Sequence, residues 1–145
     1  LAYSAAFSQS IAILAYIDIS STKEDCKYLS IKNISEQLSI PVPSIKRLIS
    51  MLKRNGLLDT KAGVDGGLAL SNDDSKISLF DIFNAIEGIN NPLFKIYKDF
   101  DFKNFEENKS KVENILDKQE RALSKVELDM EKSLKNISLK DIVDG

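Results

Sequence analysis

A chain of 145 residues with 43% hydrophobic content can bury one core and is about one domain long. Its net charge of −2 excludes a general nucleic-acid coat and a polybasic membrane binder, but not a reader whose positive charge is local. A single cysteine and no histidine remove an internal disulfide framework, imidazole acid-base chemistry and histidine-based zinc sites.

The spacing from Tyr3 to Asp18 predicts a first helix, with Phe7, Ile11 and Leu14 on one face and Ile13, Tyr16 and Ile17 on another. A helix apolar on two faces must be buried from two sides, either between the core and a partner subunit or at the centre of one subunit. The apolar run Ile11 to Ile17 falls far short of the roughly 20 residues that span a bilayer, and it lacks a signal-peptide context. A cytoplasmic protein without membrane contact is therefore expected. The chain begins at Leu1 rather than methionine, which leaves room for residues upstream.

Ser20 to Tyr28 is a polar connection that holds the one thiol, Cys26, between Asp25 and Lys27. A neighbouring lysine can lower a thiol pKa, which makes Cys26 a candidate redox sensor, although a lone cysteine is more often an incidental small residue.

From Ser30 the pattern becomes more specific. Ser30 can cap a helix bearing Ile31, Ile34 and Leu38, which Ser39-Ile40-Pro41 ends. A second helix, 42–55, carries Ile45, Leu48, Ile49 and Leu52 as a buried stripe, with Pro43 in its first turn and Asn55-Gly56 at its end. Its other side presents Ser44, Lys46, Arg47, Ser50, Lys53 and Arg54, the profile of a helix lying in a DNA major groove. Two short apolar runs, Leu57-Leu58 and Leu68-Ala69-Leu70, then flank Gly63, Gly66 and Gly67, which suits a hairpin, a candidate wing over 57–70. Between Val42 and Lys61 the bases Lys46, Arg47, Lys53, Arg54 and Lys61 face the single acid Asp59. Positive charge is thus concentrated where phosphate would lie.

Asp73-Asp74 read as turn and cap residues, since adjacent acids in a turn cap helices far more often than they catalyse. Ile77 to Glu87 predicts a short helix with Leu79, Ile82, Phe83 and Ile86 inward, closed by Gly88. Gly88 to Phe105 gathers Pro92, Leu93, Phe94, Ile96, Tyr97, Phe100, Phe102 and Phe105, an aromatic segment suited to docking on the core or to lining an effector pocket. Glu106 to Lys135 predicts a long charged helix. Val112, Leu116, Leu123, Val126 and Met130, with Leu134 beyond them, form a coiled-coil-like seam for a second copy of the chain. The tail Ile137 to Val143 repeats an ISLKDIV pattern and is expected to fold back as one more turn.

The stretches SIPVPSIKRLISMLKRNGLL (39–58), GVDGGLAL (63–70) and ISLFDIFNAIEG (77–88) resemble the bacterial Rrf-two family of winged-helix transcriptional regulators, the relatives of IscR, NsrR and CymR. Within that family the chain looks nearest to a cluster-free, YwnA-like branch. It departs from the family pattern at Ala62, where an arginine is usual, at Leu68, where an aromatic is usual, and at Asp65, an acid at the wing tip. Iron-sulfur members keep three cysteines in the segment corresponding to 88–105, and this chain has none there.

Together these readings predict a mainly α fold with a small β-hairpin. A winged helix-turn-helix domain over 1–88 would be followed by an aromatic linker and dimerisation helix over 89–145. The expected function is that of a homodimeric transcriptional regulator, a repressor, that reads a palindromic operator. Ser30, Pro43, Ser44, Lys46, Arg47, Ser50, Lys53, Arg54, Lys61, Gly63, Gly66 and Gly67 would meet DNA. No cofactor or metal is expected, and any effector would be a small molecule or a redox signal. No Walker or Rossmann phosphate loop is present and enzymatic activity is not expected. The alternative is a winged helix that assembles with an acidic protein partner.

Overall fold

The computed structural model describes residues 5–21, 29–64, 66–88, 92–101, 103 and 106–144. Cys26, Asp65, Phe102 and Phe105 lie outside the described residues. Two compact units are present, Leu1–Gly88 with Leu134–Gly145, and Ile89–Ser133.

In the first unit, α1 (Ala6–Ser21) packs on the strand, helix and C-terminal elements introduced below. Ile13, Leu14 and Ile17 are fully buried by this chain's own elements, whereas Phe7, Ile11 and Tyr16 on the same two faces are only partly buried. The helix runs three residues beyond the expected Asp18. Ser20 turns inward and is buried, and the Ser21 hydroxyl donates to the Asp18 carbonyl at 2.7 Å, so polar residues here extend the helix instead of ending it.

α2 (Ile31–Leu38) begins at Ser30, whose Oγ accepts from the Asn33 N–H at 3.1 Å. It ends at Ser39, which adopts the left-handed conformation at φ 53°. α3 (Val42–Arg54) follows, with proline tolerated in its first turn. Two strands, β1 (Leu58–Lys61) and β2 (Gly67–Leu70), pair antiparallel with Leu58 opposite Leu70 and Lys61 opposite Gly67. A 3-10 turn over Asp74–Lys76 leads into α4 (Leu79–Glu87). α4 meets α1 through an edge-to-face contact of Phe83 with Phe7, ring centroids 5.4 Å apart.

The C-terminal helices are α5 (Lys109–Lys135) and α6 (Leu139–Val143). The two ISLxDI segments meet here. Leu79 N–H donates to the Ile137 carbonyl and Leu139 N–H to the Ile77 carbonyl, both at 2.8 Å. Ser78 and Ser138 each open a capping box with Asp81 and Asp141 respectively, at matching distances of 3.1 and 2.9 Å. The repeated sequence thus folds as a local two-fold pair and sends Leu139 into the core, where none of its surface is exposed. The tail does return as a helical turn. Residues 134–144 therefore pack with the winged unit, whereas the expected boundary groups them with the linker and long helix. Leu134, read as part of the intersubunit seam, packs against this chain's own core.

In the second unit the described part of the aromatic segment lies along α5. Leu93 N–H donates to Glu127 Oε1 at 2.6 Å, Lys98 pairs with Glu120 at 3.5 Å, and Tyr97 meets Phe100 edge to face. Ile96, Tyr97 and Leu116 help line a shallow cavity of about 260 Å³. None of the residues of α5 is fully buried.

Four carboxylates of the first unit, Asp18, Asp73, Asp74 and Asp144, influence one another. Burial, a hydrogen bond to Asp74 and the charges of Asp74, Asp73 and Asp144 push the Asp18 pKa up to about 6. Asp73 caps the 3-10 turn, accepting from the Ser75 hydroxyl at 2.6 Å and N–H at 2.9 Å, which hold its carboxyl below the ordinary range.

Leu139→Ala should cost ~2–5 kcal/mol in urea unfolding, the range for emptying a fully buried leucine site. Because the folded protein holds the Asp18 proton more tightly than the unfolded chain, this group's contribution to stability is complete below pH 3.8 and lost as pH rises through about 6. Asp18→Asn should accordingly stabilise the protein at pH 8, by ~1 kcal/mol once solvent screening is allowed for, and have little effect at about pH 3. Thermal melts of both proteins across that range check it.

Candidate nucleic-acid interface

The interface is set by α3. Ile45, Leu48 and Leu52 are fully buried and Ile49 nearly so, which turns the opposite side of the helix outward. Pro43, Lys46, Arg47, Ser50, Lys53 and Arg54 are exposed there and Ser44 is half-buried. Lys46, Arg47, Lys53 and Arg54 have no carboxylate partner among the described residues. Four cations on one short helix repel one another, and an uncompensated array of this kind is stabilised when anionic groups are brought to it.

The sequence-predicted residues do not all fall together. Lys46, Ser50, Lys53 and Arg54 recur at helical spacing and, with Ile31 and Ile49, line an open groove of about 520 Å³ between α2 and α3. Arg47 does not line this groove. Ser30 is exposed, and its oxygen is committed to capping α2, leaving the hydroxyl hydrogen as its donor. Ile31 and Ile49 were read only as core residues. Periodicity assigns a residue to one side of a helix, and it carries no signal that a residue at the edge of that side also borders a groove with a second helix.

The hairpin is held by contacts that only glycine permits. Gly66 N–H closes the tip onto the Gly63 carbonyl at 3.1 Å, and a Cβ on Gly66 would overlap the Lys61 carbonyl. Gly67, at φ +149°, lies against Leu29, and a Cβ there would sit 2.6 Å from the Leu29 oxygen. The close approach allows Leu29 and Leu68 to exchange two backbone hydrogen bonds, at 3.1 and 2.8 Å. The segment entering α2 is thereby tied to the wing. Lys61 is exposed on β1, and Val64 at the tip is fully exposed.

A helix, a left-handed turn, a cationic second helix and a glycine-pinned hairpin are the parts of a winged helix-turn-helix. A family model described as iron-dependent transcriptional regulators, Rrf2, matches residues 3–145. This chain belongs to the Rrf2 family. Over 58 residues it is 38% identical to slr0846 of Synechocystis sp., a protein that bears the name of an HTH-type transcriptional regulator, a match covering 40% of each chain. It is 29% identical over 76 residues to the HTH-type transcriptional regulator IscR of Escherichia coli, covering 52% of this chain and 46% of that protein. The chain thus spans less than half the length of the curated relatives it matches. Among solved structures, CymR, the global cysteine regulator of B. subtilis, shares the fold with a TM-score of 0.71 at 20% identity, over 99% of this chain and 96% of that one.

These 145 residues hold one cysteine and no histidine, fewer soft donors than an iron–sulfur cluster takes from a single chain. Among the described residues no cluster of three carboxylate or thiol groups is arranged to hold a metal ion. The family is one of transcriptional regulators rather than enzymes. No helix of the described residues is long and apolar enough to cross a membrane.

Gly67→Ala should break the Leu29–Leu68 pairing and lower stability by ~2 kcal/mol or more, because the clash is with backbone that cannot swing aside. Amide hydrogen exchange should show faster exchange at Leu29 and Leu68 in the variant than in the parent protein.

Proposed function

We propose that this Rrf2-family regulator is a homodimeric repressor that reads a palindromic operator, with α3 in the major groove and the wing over 57–70 on the flanking backbone. The carrying observation is the outward face of α3, where four cations without acidic partners sit opposite a fully buried apolar stripe. Lys46 and Arg47 follow the short residues Pro43 and Ser44, so the helix backbone can enter the groove while the two long side chains reach base edges. Lys53, Arg54 and Lys61 suit the flanking phosphates. The reading implies a cytoplasmic protein whose direct partner is double-stranded DNA.

The second copy is supported by α5. Val126 is 49% exposed, Ile115 is more exposed still, and Val112, Leu116, Leu123 and Met130 on the same face are only partly covered. A helix of 27 residues, ~40 Å long, that leaves this much apolar surface open is stabilised by a partner helix. Two-fold symmetry would then set two copies of α3 one duplex turn apart, ~34 Å, on an inverted repeat.

Arg47→Ala should cost ~1–3 kcal/mol on the preferred site and relax its sequence preference, whereas Lys53→Ala should weaken all sequences alike. If the dimer neutralises about six to eight phosphates, log K against log salt should fall with a slope of about −5 to −7. Val126→Glu should dissociate the dimer in sedimentation, since it buries a charge in the seam. Arg47→Ala leaving affinity and preference intact in a folded protein would favour assembly with an acidic protein instead.

A further inference from the structure

We propose that the opening turn of α3 reads thymine through its C5-methyl group, with Val42 and Pro43 as the side chains that meet it. The assignment rests on the reading of α3 as the DNA-contacting helix and adds which base its first turn selects.

The outward side of α3 is divided along its length. Lys46, Arg47, Ser50, Lys53 and Arg54 make it cationic and polar, whereas its start is apolar, with Pro41, Val42 and Pro43 all exposed. Val42 keeps 37% of its surface open, although the buried stripe of the same helix begins nearby at Ile45. A single exposed apolar residue is ordinary, but three in succession at the end of the helix that would lead into the groove form a surface. Helical spacing sets Val42 one turn before Lys46, and Pro43 one turn before Lys46 and Arg47, so the apolar and charged parts share one face.

The same turn is poor in hydrogen-bond donors. Pro41 and Pro43 carry no N–H, no side chain caps the helix start, and the Ile45 N–H donates to the Pro41 carbonyl at 3.0 Å. A base acceptor or a phosphate would thus find at most the N–H groups of Val42 and Ser44. The base edges in the major groove are donors and acceptors with one fully apolar group, the thymine methyl. Val42 and Pro43 laid on a donor or acceptor would strip its water and return no hydrogen bond. Laid on a methyl group, they leave water together with it, which is favourable. One helical turn advances ~5.4 Å, so a base read by Lys46 or Arg47 would follow within about two base-pair steps. 5-Methylcytosine carries the same methyl, which allows the group to be tested apart from the rest of the base.

The test uses the full chain and a duplex selected for it from a random pool. Each thymine is replaced in turn by deoxyuridine, which lacks only the methyl. At one symmetric pair of positions the change should weaken binding about fourfold in one half-site and about fifteenfold in both, as expected for one buried methyl per half-site. At those positions 5-methylcytosine should bind about fourfold tighter than cytosine. In the double variant Val42→Ser, Pro43→Ala, discrimination between thymine and deoxyuridine should fall to near unity, while the salt slope stays that of the parent protein because every cation remains. Should the double variant not fold, Val42→Ser alone takes its place and should reduce the discrimination. Lys53→Ala should weaken binding and keep the fourfold discrimination. Tight binding with no deoxyuridine position costing twofold or more, or penalties that persist in the Val42 variants, would overturn the assignment and leave α3 as a DNA-contacting helix. Failure of the parent protein to bind any duplex would overturn the DNA reading itself, and the assignment with it.

Discussion

Burial of one stripe of α3 is the constraint on which the rest depends. Ile45, Leu48 and Leu52 expose none of their surface, and each such side chain contributes ~1.5–3 kcal/mol on leaving water. Rotating the helix to hide its cations would expose those three residues, so the orientation of Arg47 and Lys53 toward solvent is enforced by the core. A surface made of flexible side chains thus acquires a fixed frame without any hydrogen bond of its own.

Backbone pairing supplies the second level of order. The Leu29–Leu68 exchange ties the entry of α2 to the wing, and the Ile77–Leu139 and Leu79–Ile137 bonds tie the end of the chain to the start of α4. α4 packs in turn on α3. α3 is therefore braced by the wing and by the C-terminal segment, and each brace consists of two short, reciprocal hydrogen bonds whose donors are not left buried and unpaired.

Local elements were legible in the sequence because their causes are local. The Ser30 cap, the α3 stripe and the hairpin glycines all declare themselves within a few residues. The Leu29–Leu68 bridge did not, because it joins residues far apart in the chain and its only trace is Gly67, which equally suits a turn. The ISLxDI repeat was visible as a repeat, but that its two copies pair was not, since nothing in either copy marks the other as its partner. Leu134 shows the same limit. Its spacing fits the end of the α5 seam, yet the fold-back that follows draws it onto the core. The α2–α3 groove was hidden for a related reason, because it belongs to two helices at once.

On the proposed reading, the outward face of α3 meets base edges. A photo-crosslinking residue at position 50, in the middle of that face, combined with a duplex selected from a random pool, tests it most directly. Crosslinks to bases at two symmetric positions about one duplex turn apart, ~34 Å, are expected. Stable DNA binding with no crosslink from position 50 would contradict it.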